Sequence, residues 1–286
     1  MSTEQYTYQY PHPAVATDCV VFGFDGRELK VLLIERGIDP FKGMWAFPGG
    51  FMRMDETAEE CILRELKEET GLQLTTIKQL GTFTGINRDP RERVISIAFY
   101  SLSPDTEVHG GDDATNARWW PIDDIPQLAF DHDYILRQAM KRIRQDIHFE
   151  PVGFGLLREE FTMAELQRLY ESILGIHFDR RNFYKKMLQT GILQEVSEND
   201  SPSYYGKRRE MVSMDIDNLF ADHAATDNGV PRLLMAQSLP ACDMDDETTS
   251  LHSSPRQQPG RKGKLFRFDK EGYDRMKEEG NFRLEF

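Results

Sequence analysis

The chain has 286 residues, of which 39% are hydrophobic and 29% charged, and this length favours two folding units because domains usually span roughly 100 to 200 residues. Its formal net charge of −13 excludes nucleic acid and acidic membrane surfaces as general partners, so that any DNA contact requires a locally basic patch. The separated cysteines Cys19, Cys61 and Cys242 form no disulfide framework or metal-binding spacing, and without a secretion signal or membrane span a cytoplasmic protein is predicted.

The first half of the chain alternates strand-like and helical segments, which is typical of an α/β fold. Residues 14–24 and 29–35 are rich in β-forming residues and flank Asp25-Gly26, so a hairpin is predicted. Residues 57–70 have helical spacing, with a capping-box threonine at the start and Gly71 as the stop signal. Further strands are predicted at 79–85, 93–102 and 117–122, and a second helix at 133–148.

The second half reads as a smaller α+β unit. The break at Glu150–Gly153 predicts a domain boundary, which gives domains at residues 1–150 and 151–286. A helix-turn-helix pattern is predicted from two helices, and a strand followed by a terminal helix would complete the unit. These elements are expected at 161–174, 179–189, 264–268 and 269–279. The polar stretch at about 197–258 is predicted to be a flexible insertion.

The most informative stretch is Gly50 to Leu72, which reads GFMRMDETAEECILRELKEETGL. On a helix, Glu65, Glu68 and Glu69 stand at i, i+3 and i+4 and therefore share one face. Carboxylates at this density suit a hard divalent cation such as Mg²⁺, and Mn²⁺ could substitute. The alternative is a solvated charged helix face with no ligand, but the preceding glycine loop and the fixed spacing favour a metal site.

The same stretch resembles the Nudix box, in which every defined position is filled. The resemblance implies a Nudix α/β/α sandwich with a mixed sheet, hydrolysing the diphosphate linkage of a nucleoside diphosphate derivative such as ADP-ribose. It also implies site roles: Glu65 and Glu69 as principal metal ligands, Glu68 as a further ligand or base, the carbonyl of Gly49 as a ligand, and Glu56 with Arg64 bracing the loop against the helix. The general base stays open between Glu68 and the downstream acids Glu107, Asp112 and Asp113.

Three arginines, Arg88, Arg91 and Arg93, precede the strand at 93–102 and are candidates for gripping phosphate or ribose. The alternative is a charged loop in which Asp89-Pro90 supplies only turn chemistry. The segment resembles Nudix proteins that act on or sense ADP-ribose.

Residues from about 151 onward resemble the winged-helix domain of Nudix-related transcriptional regulators of NAD or sugar metabolism. Asp179 is expected to cap a helix that buries Phe183 and Met187 and presents basic residues to DNA. The candidate DNA-binding residues are Arg180, Arg181, Lys185 and Lys186 on this helix, with Arg261, Lys262 and Lys264 in the wing. The alternative is a solvated accessory surface. The resemblance also implies a homodimer, and the intact Nudix box favours hydrolysis over pure regulation.

Overall fold

The computed structural model describes residues 8–103, 108, 110, 114–196 and 264–280. Contacts group residues 1–212 with 264–286 as one compact unit and residues 213–263 as a second. The second unit lies outside the described residues, as do Arg261, Lys262, Glu107, Asp112, Asp113 and the segment expected to be a flexible insertion. The boundary expected near residue 150 stays a prediction.

The N-terminal half forms a seven-stranded sheet within the described residues. Strand β1 pairs in parallel with β6 and antiparallel with β2 and β4, which makes the sheet mixed, as predicted. β2 also pairs with β3 and β7, and β5 pairs with β6 at the edge. The strands are β1 (Ala14–Phe24), β2 (Leu29–Arg36), β3 (Trp45–Ala46), β4 (Gly49–Phe51), β5 (Lys78–Phe83), β6 (Val94–Leu102) and β7 (Ala114–Pro121).

Helices α1 (Ala58–Thr70) and α2 (His132–Asp146) cover the two faces of this sheet. Successive strand residues point to opposite faces, and Cys19 packs in one core with Ile62 and Leu66 of α1. On the other face, Tyr100 donates its hydroxyl hydrogen to Asp146 of α2. Each fully buried aliphatic side chain in such a core contributes about 1.5–3 kcal/mol. The three layers confirm the expected α/β/α sandwich.

Helix α1 begins and ends where its local signals predict. Thr57 Oγ1 accepts from the Glu60 backbone N–H, and the Glu60 carboxylate accepts from the Thr57 N–H, which completes the capping box. Gly71 has φ 72°, a left-handed conformation that glycine adopts without a steric penalty. The box carboxylates therefore lie on a helix whose start and register are fixed by local sequence.

The C-terminal part has the expected winged-helix arrangement. It comprises a 3₁₀ helix (Val152–Leu156), β8 (Phe161–Thr162), α3 (Met163–Leu174), α4 (Arg180–Gln189), β9 (Leu193–Glu195), β10 (Leu265–Phe268) and α5 (Lys270–Glu278). The antiparallel strands follow the order β8-β10-β9. The sequence did not predict β8, β9 or the 3₁₀ helix, because segments of two to five residues carry too little periodicity.

Strands β9 and β10 are neighbours up to the described residues that border 197–263 on either side. The backbone N–H of Val196 donates to the carbonyl of Leu265 at 2.9 Å, just beyond the paired residues Glu195 and Phe266. The described residues on either side of 197–263 are therefore hydrogen-bonded neighbours in the sheet.

Two side chains bind the winged helix to the sandwich. Arg144 of α2 donates from Nε to the carbonyl of Ile173 in α3 at 2.8 Å. Arg168 of α3 donates from Nε to the carbonyl of Gly26, in the β1–β2 turn, at 3.0 Å.

Among the helices that the structure describes, none has the length and apolar character needed to cross a membrane.

Candidate active site and nucleic-acid interface

The glycine loop before α1 lies directly against the carboxylates of the Nudix box. A side chain at Gly49 would place its Cβ 2.1 Å from the carbonyl oxygen of Thr17, and one at Gly50 would place it 2.3 Å from Glu65 Oε1. Strand β4, which contains both glycines, pairs with β1. Only glycine therefore allows the β1 backbone, the loop and the Glu65 carboxylate to approach this closely.

Two of the box carboxylates interact closely, one of them buried and the other, Glu65, half-buried. Glu69 is 6% exposed, and its Oε2 accepts from the Gly49 backbone N–H at 2.9 Å. Burial, together with the charges of Glu65 and Asp18, raises the pKa of Glu69 to about 8. Burial also raises the pKa of Glu65. The site thus concentrates negative charge that its immediate surroundings only partly compensate.

Arg64 contacts three carboxylates at once. It forms a bidentate pair with Glu56, from Nε at 2.9 Å and from Nη2 at 2.6 Å, and its hydrogen bonds lower the pKa of Glu56 to about 2. Its Nη1 donates to Glu65 Oε1 at 2.7 Å and to Glu68 Oε2 at 3.0 Å. Arg64 therefore ties the loop carboxylate Glu56 to the helix and brings Glu65 and Glu68 toward one point.

The chemistry of these donors fits a hard divalent cation. Glu65, Glu68 and Glu69 supply oxygen ligands, and the high pKa of Glu69 marks a buried carboxylate that a cation would stabilise in its charged form. Within the described ranges, no three His, Cys, Asp or Glu side chains are arranged as a ready-made metal site. A bound cation would compete with Arg64 for the oxygens of Glu65 and Glu68.

The three arginines expected to grip the ligand differ in their surroundings. Arg88 is 8% exposed and pairs with Asp131 at 2.8 Å and Asp18 at 3.3 Å. Arg93 is exposed and donates to the carbonyls of Gly85 and Thr84. Arg88 thus forms buried ion pairs with two aspartates, whereas Arg93 binds backbone carbonyls at the start of its own loop.

Arg91 is also exposed, and its guanidinium is paired with a neighbouring carboxylate. Its Nε and Nη2 bind the two oxygens of Asp89 at 3.0 and 2.7 Å, and its side chain is 38% exposed. Asp89 also accepts from the Arg91 backbone N–H, which is the turn chemistry that the sequence offered as the alternative.

Sequence reasoning missed a buried polar network behind the glycine loop. Asp18 accepts a hydrogen bond from Ser96 and faces Arg88 and His132. Although burial opposes it, His132 and Arg88 lower the pKa of Asp18 to about 2. His132 Nδ1 accepts from the Phe47 backbone N–H at 2.9 Å, so its Nε2 is the nitrogen that faces Asp18. The network thereby fixes the strand that leads into Gly49.

Helix α4 presents the expected basic face. Asp179 Oδ1 accepts from the Asn182 backbone N–H at 2.9 Å, and Phe183 and Met187 are buried, as predicted. The exposed residues on this helix include Arg180, Arg181, Lys185 and Lys186. In the wing, Lys264 pairs with Glu195 at 2.7 Å across β9 and β10. Four basic side chains thus lie on the solvent side of the second helix of a helix-turn-helix unit.

Comparison with known proteins identifies both parts. The NUDIX domain family matches residues 12–140, and the NrtR DNA-binding winged helix domain matches residues 153–209. The ADPR responsive transcriptional repressor NtrR of Acinetobacter baylyi is 30% identical over 207 residues, covering 70% of this chain and 80% of the relative. The chain therefore belongs to the Nudix proteins that carry an NrtR-type winged helix.

Two further matches bear on the separate parts. The ADP-ribose pyrophosphatase of Methanocaldococcus jannaschii is 44% identical over 132 residues, covering 46% of this chain and 76% of the relative. Shewanella oneidensis NrtR matches with a TM-score of 0.56 and 32% identity, over 64% of this chain and 87% of that one. Its structure in complex with a 27mer DNA matches with a TM-score of 0.53 and 30% identity, over 64% and 88%.

Proposed function

We propose that the Nudix domain hydrolyses the diphosphate linkage of a nucleoside diphosphate derivative of the ADP-ribose type. The crowded carboxylates of Glu65 and Glu69 against the Gly49–Gly50 loop carry this proposal. The 44% identity to an ADP-ribose pyrophosphatase supports the substrate class.

Glu65, Glu68 and Glu69, with the carbonyl of Gly49, would hold Mg²⁺, for which Mn²⁺ could substitute. The ion would supply neutralisation of the diphosphate and a lower pKa for the attacking water. The chain itself would orient the parts: Arg64 and Glu56 fix the loop on α1, and Arg91 offers a guanidinium to phosphate or ribose. Arg88 and Arg93 would act in this scheme by holding the loop that carries Arg91.

Turnover of a nucleoside diphosphate panel with and without Mg²⁺ tests this function. The expected products from ADP-ribose are AMP and ribose 5-phosphate, formed only with a divalent cation. Absence of turnover across the panel, with Mg²⁺ or Mn²⁺ present, would contradict hydrolysis.

A second function, ligand-responsive binding of DNA, is favoured by the exposed basic face of α4. The related Acinetobacter baylyi protein is described as an ADPR responsive repressor, and the similar Shewanella oneidensis protein has been crystallised with DNA. Arg144 and Arg168 bind the winged helix to the sandwich, so a ligand that shifts the sandwich has a physical route to α4. One protein would then both sense and hydrolyse its ligand.

Binding to its own upstream DNA at several salt concentrations tests this second function. Binding through basic residues weakens as salt rises, because each phosphate contact releases counterions. Addition of ADP-ribose is expected to change the affinity, and affinity independent of both salt and ligand would contradict the idea. The expected homodimer belongs to the same proposal, and sedimentation analysis of the full chain tests it.

A further inference from the structure

A cluster of aromatic rings and guanidinium groups borders the carboxylate site. It comprises Phe51, Arg91 and Phe130, flanked by Arg36 and Phe41, and is called the aromatic–arginine cluster below. The Arg91 guanidinium carbon lies 5.0 Å from the ring centroid of Phe51 and 5.8 Å from that of Phe130. The guanidinium is therefore held between two aromatic residues as well as by Asp89.

Phe130 contacts Phe41 and Arg36 as well as Arg91. Phe41 and Phe130 are the two non-glycine residues with positive φ among the described residues, at 64° and 54°. Their rings pack edge to face with centroids 4.8 Å apart, and the Arg36 guanidinium carbon lies 4.8 Å from the Phe130 centroid. Such backbone conformations cost energy and concentrate at binding sites. Phe130, whose ring contacts Arg91, thus has a backbone conformation of this kind.

The cluster and the carboxylates form a continuous surface. Phe51 directly follows Gly50, whose position is limited by Glu65, and its carbonyl accepts from Arg64 at 3.5 Å. Phe51 is therefore joined by backbone contacts to the loop and the arginine that hold Glu65, so its ring is within reach of one end of a diphosphate bound at the carboxylates.

Phe51 remains 39% exposed although it lies within this site. An aromatic ring that is supported by a fixed guanidinium and open to solvent is a stacking platform for a planar, electron-rich ring. We propose that Phe51, backed by Arg91, stacks on the nucleobase of the ligand and so selects nucleoside diphosphates over diphosphates that lack a base. This inference rests on the proposed function and assigns its specificity.

Steady-state kinetics of the full chain with Mg²⁺ test the assignment: the KM for ADP-ribose reports binding of the nucleoside compound, and competitive inhibition by inorganic pyrophosphate reports binding of the diphosphate alone. Phe51→Leu keeps an apolar side chain but removes the aromatic face, and it is expected to weaken ADP-ribose binding roughly 10-fold, the range of one base–aromatic stack. Pyrophosphate binding is expected to stay unchanged. Phe51→Tyr, which keeps the ring, is expected to restore ADP-ribose affinity. Phe149→Leu is the matched control, because Phe149 is 58% exposed and lies outside the cluster.

The outcomes separate this inference from the function beneath it. Failure of the unaltered protein to bind ADP-ribose would contradict the proposed function itself. Normal ADP-ribose binding by Phe51→Leu would overturn the stacking role and leave the function standing. An equal loss for pyrophosphate would also overturn it, since the ring would then support the diphosphate site rather than the base.

Discussion

Helices α1 and α4 are both rich in charge and both begin with a side-chain cap, yet their charges have different surroundings. On α1, Glu65 and Glu69 are drawn into the fold, where burial raises their pKa values. On α4, Arg180, Arg181, Lys185 and Lys186 are exposed. On the proposed functions, the charges of α1 would serve a small ligand, whereas those of α4 would serve a large charged surface. Changes on each helix should therefore have different signatures.

The largest effect is expected for Glu69→Gln, which removes the carboxylate at the buried end of the proposed metal site. Loss of a metal ligand would remove several kcal/mol of transition-state stabilisation, so hydrolysis of ADP-ribose should fall on the order of 10³-fold. Steady-state kinetics measures this, with Glu59→Gln as the control because Glu59 is exposed on the same helix. Comparable losses of activity in both variants would contradict a specific role for Glu69, because any carboxylate on α1 would then matter equally.

A smaller loss of activity is expected for Arg64→Lys. Lysine keeps the positive charge but cannot reproduce the bidentate pair with Glu56. Loss of such a supporting contact typically costs about 10- to 100-fold in activity or metal affinity. The same kinetic assay measures it, and Arg27→Lys is the control at an exposed arginine. Full activity in Arg64→Lys would show that a positive charge alone, without the bidentate pair, is enough to hold Glu56 and its loop on α1.

On α4, the double change Arg180→Ala plus Arg181→Ala should affect DNA and leave hydrolysis unchanged. Each phosphate contact that is removed should lower the slope of log Kd against log salt concentration by roughly one. Titration of labelled DNA at several salt concentrations measures the slope. Arg275→Ala plus Lys277→Ala on α5 removes the same charge from another exposed helix. An equal effect of the two pairs would mean that net charge, rather than α4, governs binding.

The smallest effect is expected for Asp179→Ala, which removes the cap of α4. Loss of an N-cap costs about 1 kcal/mol of unfolding free energy, and urea unfolding of the full chain measures it. Asp274→Ala is the control, because Asp274 is exposed within α5 and lies away from its cap. A larger loss in the control would contradict the capping role.

The sequence predicted α1 well because its determinants are local. The capping box, the apolar spacing and Gly71 all lie within one helix and its two ends. Aside from short elements such as β8, most predicted boundaries differ from the observed ones by one to three residues. The mixed sheet and the winged helix were accessible through the Nudix resemblance, since pairing between distant strands has no local signal.

The surroundings of the site were harder to predict because they depend on distant partners. Arg88 was grouped with Arg91 and Arg93 by their spacing, but Asp18 and Asp131 lie 70 and 43 residues away in the chain. Nothing local distinguishes an arginine that a distant carboxylate will bury from one that stays exposed. His132 was missed for the same reason, since its partners Phe47 and Asp18 belong to other elements.

The hydrogen bond between Val196 and Leu265 makes the β9–β10 hairpin a natural graft point. Strands held together at an insertion point keep their register when the loop between them is exchanged. Val196 and Leu265 therefore form a fixed pair of attachment points, between which a reporter domain whose ends lie close together can be placed without a change in the pairing of β9 with β10.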